Sequence, residues 1–290
     1  MNFLEEIKQQ YRLGGVTEKL IYWNVALFAI PWILKGILSL FGIPFGFLEY
    51  VSLSSNPGDL FWKPWSIITY GFFHADIFHI LFNLIILNFV GRLFLTFFTQ
   101  KQLLSLYFMG LIFAGLIYIL SYLFFPALAN QVVMLIGASG AIMAVLFGVA
   151  TYSPQMQVRL LLIGNVRLWH IAVVYLVIDL ISLSFSNVGG HIAHLGGALF
   201  GYLYASQLKN GKDITKGFSS FMDWFITLFQ RNTKTPFKKV HKNKTYTKPN
   251  PPSKDKSQQQ IDEILDKISQ SGYDSLTKEE KEFLFKAGKN

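Results

Sequence analysis

Six stretches of the chain are apolar over nearly their whole length, and shorter polar or Pro- and Gly-rich connectors separate them. A helix needs about 20 residues to cross the hydrocarbon of a bilayer, and each stretch meets or approaches that length. They cover residues 20–42, 76–98, 103–125, 133–152, 168–185 and 190–208. The first carries Lys35, a charge that a long side chain can snorkel toward the interface. A long connector over 43–75, rich in Gly, Pro and aromatics, joins the first two. The pattern predicts an all-α polytopic membrane protein with six transmembrane helices.

Beyond Leu208 the pattern changes. The stretch FSSFMDWFITLF, 218–229, is apolar and amphipathic but short for a span, which suits an interfacial helix. Residues 231–256 are rich in Lys, Thr, Asn and Pro, the composition of a solvated linker. Helical periodicity returns with Ile261, Ile264, Leu265 and Ile268, then with Leu276 and Leu284. Thr277 with Glu280 three residues on is a helix-start signal. The expected organisation is a cytoplasmic segment 1–19, a membrane domain 20–208, an interfacial helix and basic linker 209–256, and a small two-helix module 257–290.

Composition supports the membrane reading. Charged residues make up 15% of the chain, against about 25% in soluble domains. The net charge of +9 sits mainly in the tail. Nine Lys and Arg face seven acids up to Leu208, and seventeen face ten after it. A basic segment following a membrane helix meets lipid headgroups or marks the cytoplasmic side, so no nucleic-acid partner is expected. Lys8, Arg12, Lys19, Arg92, Lys101, Arg159 and Arg167 lie in segments that six spans bring to one side, whereas the other side's connectors hold only Lys63. Both termini are therefore expected in the cytoplasm. With no cysteine, disulfides, thiolate metal sites and cysteine nucleophiles are excluded. The polar start MNFLEEIKQQYRLGG lacks the apolar core of a secretory signal, so internal spans are expected to drive insertion.

Polar side chains inside hydrocarbon are costly and so mark candidate function. The fourth span opens IGASGAIMAVLFG, with Ser139 between Gly137 and Gly140 near a helix N-terminus. Unpaired N–H groups there suit a developing oxyanion. Alone, the small residues would read as helix packing. The sixth span reads GGHIAHLGGALFGYLY and places His194, Gly197 and Gly201 on one face. Such a face lets the helix approach a neighbour closely and brings an imidazole with it. A serine needs a neighbouring base to become a useful nucleophile. On the second span, His79 and Asn83 project from one face and can donate hydrogen bonds without fixed charge. As isolated residues these two would read as interhelical hydrogen bonders.

GASG at 137–140, HILFN at 79–83 and AHLGGALFG at 193–201, in that order on spans two, four and six, resemble the rhomboid family of intramembrane serine proteases. The resemblance covers about residues 20–208. It implies a six-helix bundle in which Ser139 is the nucleophile and His194 the general base. It also implies an oxyanion hole made by His79, Asn83 and the Ser139 backbone N–H, with Gly137 and Ala138 at the substrate-binding edge. Gly140, Gly197 and Gly201 are then the packing positions around the site. The family pattern of Ala before the histidine and glycines three and seven residues after it selects His194 over His191. The implied substrates are transmembrane segments of other proteins in the surrounding lipid bilayer, with no metal and no cofactor. A bacterial inner (plasma) membrane location is implied, and the tail looks like a short module found on some bacterial members. A cytoplasmic partner is the default expectation for that module.

Two positions depart from the family pattern. Trp65-Ser66 stands where a Trp-Arg pair is common in the outer connector, and Met143 stands where an aromatic often stacks on the base. Asp179 is the only acid well inside the core. It is expected to be a structural hydrogen bonder, with third member of a triad as the alternative. Two rival functions remain: a catalytically inactive rhomboid-like binder of membrane proteins, and a metal site or transporter built on His74, His79, His191 and His194.

Overall fold

The computed structural model describes residues 2–161, 163–229 and 256–288. The chain divides into two compact units, Met1–Arg231 and Asn232–Asn290. The first unit opens with α1 (Phe3–Leu13) and the long α2 (Val16–Leu40). The connector that follows folds into short pieces: α3 (Leu48–Val51), β1 (Leu53–Ser54), α4 (Pro57–Trp62), α5 (Ser66–Thr69) and a 3-10 turn over Tyr70–Phe72. Then come α6 (Ile77–Phe94), α7 (Gln100–Phe124), β2 (Met134–Leu135) and α8 (Ser139–Tyr152). A hairpin of β3 (Gln157–Leu160) and β4 (Gly164–Arg167) leads to α9 (Leu168–Ser182), α10 (Val188–Lys209) and α11 (Lys216–Phe229).

Among the described residues, α2, α6 and α7 are long and apolar enough to cross a membrane, while α8 and α9 are apolar but shorter. At about 1.5 Å per residue, the 14 residues of α8 cover only about 21 Å. Its position explains how it is used. Nearly all of it is buried, from Gly140 to Ala150, so it is the central post of the bundle. Around it stand α10, α7 and α6, and α9 packs more loosely at the edge.

The structure corrects the purely helical expectation at two places. The fourth apolar stretch does not become helical at Val133. Residues 134–135 form a strand whose Leu135 pairs with Leu53 and Met134 with Ser54, antiparallel. Ser55 tightens this seam: its N–H donates to the Val133 carbonyl at 2.9 Å, and its hydroxyl donates to the Gln131 carbonyl at 2.8 Å. Gly137, with φ at 122°, lies in a region that favours glycine and blocks helix until Ser139. The second departure is the β3–β4 hairpin, with Gln157 opposite Arg167 and Leu160 opposite Gly164.

Helix starts follow their sequence signals. The Asp76 carboxylate accepts from the His79 N–H at 2.9 Å and caps α6. Thr99 and Gln102 form a reciprocal capping box on α7. At one end of the bundle, polar ties join the start of α2 to the end of α6 (Glu18–Arg92, 3.8 Å), the start of α7 to α11 (Lys101–Asp223), and the end of α10 to the end of α8 (Lys209 to the Thr151 carbonyl, 2.7 Å).

The second unit holds α12 (Lys256–Ser271), a 3-10 turn over Tyr273–Ser275 and α13 (Lys278–Ala287). The capping box read at Thr277 and Glu280 is present. Lys267 also bonds Glu280 at 2.8 Å and holds its carboxyl below the usual range. The linker expected over 231–256 lies, apart from Lys256, outside the described residues.

Candidate active site

Of the polar side chains singled out in the spans, Ser139, His194, His79 and Asn83 line one cavity of roughly 630 Å³ near the start of α8. Ser139 is the first residue of that helix, and Ala138 is its N-cap residue. The loop before it is held from the connector side, because the Gly137 N–H donates to the Tyr70 carbonyl at 2.9 Å. Tyr70 is in turn anchored through its hydroxyl to the Leu111 carbonyl of α7 at 2.7 Å. The connector therefore helps to set the position of the serine.

The histidine arrives on a glycine face. A Cβ at Gly197 would stand 2.0 Å from the Gly140 carbonyl oxygen, and one at Gly201 would stand 2.1 Å from the Ala144 carbonyl oxygen. The backbones of α8 and α10 are thus in direct contact, a distance only glycine permits. A Cβ at Gly140 would meet the Ala114 Cβ of α7 at 2.7 Å. With the helices this close, His194 Nε2 lies 2.7 Å from Ser139 Oγ. That is a hydrogen bond through which a neutral imidazole can take the serine proton.

His79 faces the same loop from α6. A Cβ at Gly137 would lie 2.7 Å from His79 Nε2, so the absence of a side chain there leaves room for the ring. The Ala75 N–H approaches His79 Nδ1 at 3.5 Å, a long contact that favours the proton on Nε2, the nitrogen directed at the loop. Asn83 lies one turn further along. Its amide donates to the His79 carbonyl at 2.8 Å, which leaves a second amide hydrogen free for the cavity. These donors and the N-terminus of α8 surround the space beside Ser139, where a developing oxyanion would sit.

Sequence reasoning singled out Asp179 but not its bonds to two histidines. Asp179 of α9 places Oδ1 2.8 Å from His194 Nδ1 and 2.8 Å from His191 Nδ1. The acid was expected as a structural hydrogen bonder, with third member of a triad as the alternative; it bonds the ring of the candidate base itself. The signal was present in its being the one acid inside the apolar core, with two histidines three residues apart on the next helix. His191, expected as a neighbour near the loop, shares this carboxylate.

The four histidines considered as a metal set do not come together. His74 is fully buried against His79, with ring centroids 5.0 Å apart, and neither of its ring nitrogens has a hydrogen-bond partner among the described residues. The His and Asp atoms that converge are those of Asp179, His191 and His194, which lie within 4.8 Å of one another. Met143, at the position where the resemblance expects an aromatic, is buried at the cavity wall. Ser66 is buried at the start of α5, and Trp65 donates to the Tyr50 carbonyl within the connector at 2.8 Å.

A family model described as the Rhomboid domain matches residues 62–210, just over half of the chain, and a family of unknown function, DUF6576, matches residues 252–289. No curated protein matches the chain. The cavity, the serine and the histidines all fall within the first match, and apolar helices long enough to span a bilayer surround them. The chain belongs to the rhomboid family, serine proteases that are integral to the membrane.

Proposed function

We propose that this chain is an active intramembrane serine endopeptidase that cuts transmembrane segments of client proteins, with Ser139 as nucleophile and His194 as general base. The observation that carries this reading is the 2.7 Å contact between Ser139 Oγ and His194 Nε2. His194 takes the hydroxyl proton as Oγ attacks the peptide carbonyl, and the charge that develops on the carbonyl oxygen is met by His79, Asn83 and the backbone at the start of α8. The imidazolium then gives its proton to the leaving amine, and water hydrolyses the acyl-enzyme. The side chain of His194 is 25% exposed, which is consistent with water reaching the site. No cofactor is needed in this scheme.

In the same reading α2, α6, α7, α8, α9 and α10 each cross the bilayer, and both termini are cytoplasmic. The ties from Glu18 to Arg92, Lys101 to Asp223 and Lys209 to Thr151 support it. They gather the start of α2, the ends of α6, α8 and α10, and the start of α7 at one end, as alternating crossings require. The basic connectors fall at that end, while Ser139 opens the opposite end of α8. A plasma membrane of a bacterium fits the family type. Client helices enter from lipid between α6 and α9, where an apolar cavity of roughly 680 Å³ is lined by Ile85 and Phe89 on one side and Val174 and Ile178 on the other.

The test uses purified full-length protein in detergent, a fluorophosphonate probe and a model transmembrane substrate. Labelling and cleavage should disappear in Ser139→Ala and in His194→Ala and persist in EDTA. Because one oxyanion donor is worth about 10²–10³ in rate, Asn83→Ala should retain weak cleavage. A wild type that binds substrate without labelling or cutting would turn the reading to the inactive, binding-only relative. EDTA-sensitive cleavage would turn it to metal chemistry.

A further inference from the structure

The structure assigns a role in this reaction to Asp179, and the inference rests on the serine-protease reading above: we propose that Asp179 is the positioning residue that fixes the tautomer and orientation of the His194 base, with His191 holding the carboxylate in place.

Helix α9 is the most lipid-facing of the helices around the site. Val173, Val174, Val177, Ile178, Leu180 and Ile181 are all exposed on it. Its buried side chains are Leu168, Ala172 and Asp179, which share one stripe along the helix. An acid therefore occupies a core-facing position where an apolar residue would cost nothing. An ionised carboxylate inside a membrane protein requires specific partners. Asp179 Oδ1 has two, each at 2.8 Å: Nδ1 of His194 and Nδ1 of His191. Its Oδ2 is bonded by no side chain or backbone group among the described residues. Both partners come from α10, three residues apart and so on one face of the helix.

This geometry settles a chemical question that the Ser139–His194 pair leaves open. A neutral imidazole carries one proton, on either ring nitrogen. With the proton on Nε2, His194 would donate toward Ser139 and could not act as a base. An ionised carboxylate only accepts, so the bond from Asp179 requires the proton on Nδ1 of His194. That leaves the Nε2 lone pair facing the Ser139 hydroxyl 2.7 Å away. When the serine proton moves to Nε2 and the Oγ–carbon bond forms, the imidazolium lies beside an anion in a site of low dielectric. Asp179 stays ionised throughout, and the proton leaves from Nε2 to the departing amine. The same requirement applies to His191, which donates its own Nδ1–H to Oδ1 and keeps the carboxylate oriented while the His194 ring changes charge.

The arrangement also accounts for the tolerance of Met143 at the cavity wall. A thioether does not fix the plane of a neighbouring ring, whereas hydrogen bonds at both nitrogens of His194 do.

The experiment uses the full-length chain with the same probe and substrate. Asp179→Asn preserves shape but presents an amide that can donate to Nδ1. We expect kcat to fall by about 10²–10⁴-fold, as loss of the orienting acid does in serine proteases of unrelated fold, with KM little changed. Fluorophosphonate labelling should slow in parallel, and Asp179→Glu should restore part of the rate. His191→Gln should lower kcat by less than Asp179→Asn does. In ¹⁵N-histidine-labelled Ser139→Ala, His191→Gln protein, the His194 signal should report a proton on Nδ1. Adding Asp179→Asn should remove that signature at an unchanged melting temperature. Wild-type kcat in Asp179→Asn would overturn the role of Asp179 alone. So would a loss of rate that merely follows a drop in melting temperature while the Nδ1–H signature persists. A wild type that neither labels nor cleaves would overturn the protease reading itself, and the role of Asp179 with it.

Discussion

At the scale of single residues, the site depends on what is missing. Gly197 and Gly140 bring two helices into backbone contact, and the 2.7 Å separation of Ser139 Oγ and His194 Nε2 follows from that contact. An alanine at 197 would place its Cβ 2.0 Å from the Gly140 carbonyl oxygen, backbone that cannot rotate away. Helix α10 would have to shift outward, and His194, one turn before Gly197, would move with it. Overpacking of this kind costs about 1–3 kcal/mol, and a misplacement near 1 Å can cost about 10² in rate. We expect Gly197→Ala to lower both the melting temperature and cleavage, the latter by about two orders of magnitude. Gly36→Ala in α2 is the control, because its Cβ would meet nothing within 4 Å. It should leave cleavage unchanged. Equal behaviour of the two variants in a thermal-shift and cleavage assay would show that helix contact does not set the Ser139–His194 separation.

At the scale of elements, what could be read in advance was what local pattern encodes. The apolar runs located all six helices around the site to within a few residues, except at the start of α8. Helix N-terminal signals at Thr277 were read correctly because capping is decided within four residues. What pattern could not give was pairing at long range. The β1–β2 seam joins Leu53 to Leu135 across four intervening helices and a 3-10 turn, and two-residue strands have no periodicity to detect. The bond from Asp179 to His194 crosses from one helix to the next, and its presence depends on how α9 is rotated. That rotation is set by lipid-facing Val and Ile residues whose pattern alone does not single out the inward direction of one acid. The serine, the two histidines and Asn83 were legible because each sits beside glycines or at a helical spacing that has a chemical meaning.

The looseness of α9 has a functional consequence at this same scale. Most of its side chains face outward, and between it and α6 lies the apolar cavity that Ile85 and Val174 both line. The chain has no cysteine, so a pair introduced at Ile85 and Val174 can be joined cleanly by a flexible bis-maleimide. If clients enter there, the cross-linked enzyme should lose cleavage of a transmembrane substrate. It should still label at Ser139 with the small fluorophosphonate, which does not need the helices to part. Undiminished cleavage after complete cross-linking would place the entry route elsewhere.

At the scale of the whole molecule, the division at Arg231 separates chemistry from tail. Each of Ser139, His194, Asp179, His79 and Asn83 lies in the first unit, and so do the helices that hold them. The second unit has its own internal order, with the Thr277–Glu280 capping box and the Lys267–Glu280 ion pair. Its match to a separate family, beginning at residue 252, gives it an identity apart from the Rhomboid domain. Helix α11 belongs with the first unit, where Asp223 pairs with Lys101 at the start of α7. A chain ended after Arg231 therefore keeps every group the proposed reaction uses and every polar tie at that end of the bundle. We expect such a truncation to cut a detergent-solubilised transmembrane substrate with kcat close to that of the full chain. A tail that serves docking or regulation would instead show its effect in living cells, as a change in which clients are cut or how fast. Loss of cleavage by the truncated, folded protein in detergent would mean that the tail module takes part in forming the site, and the division of labour argued from the two units would fall.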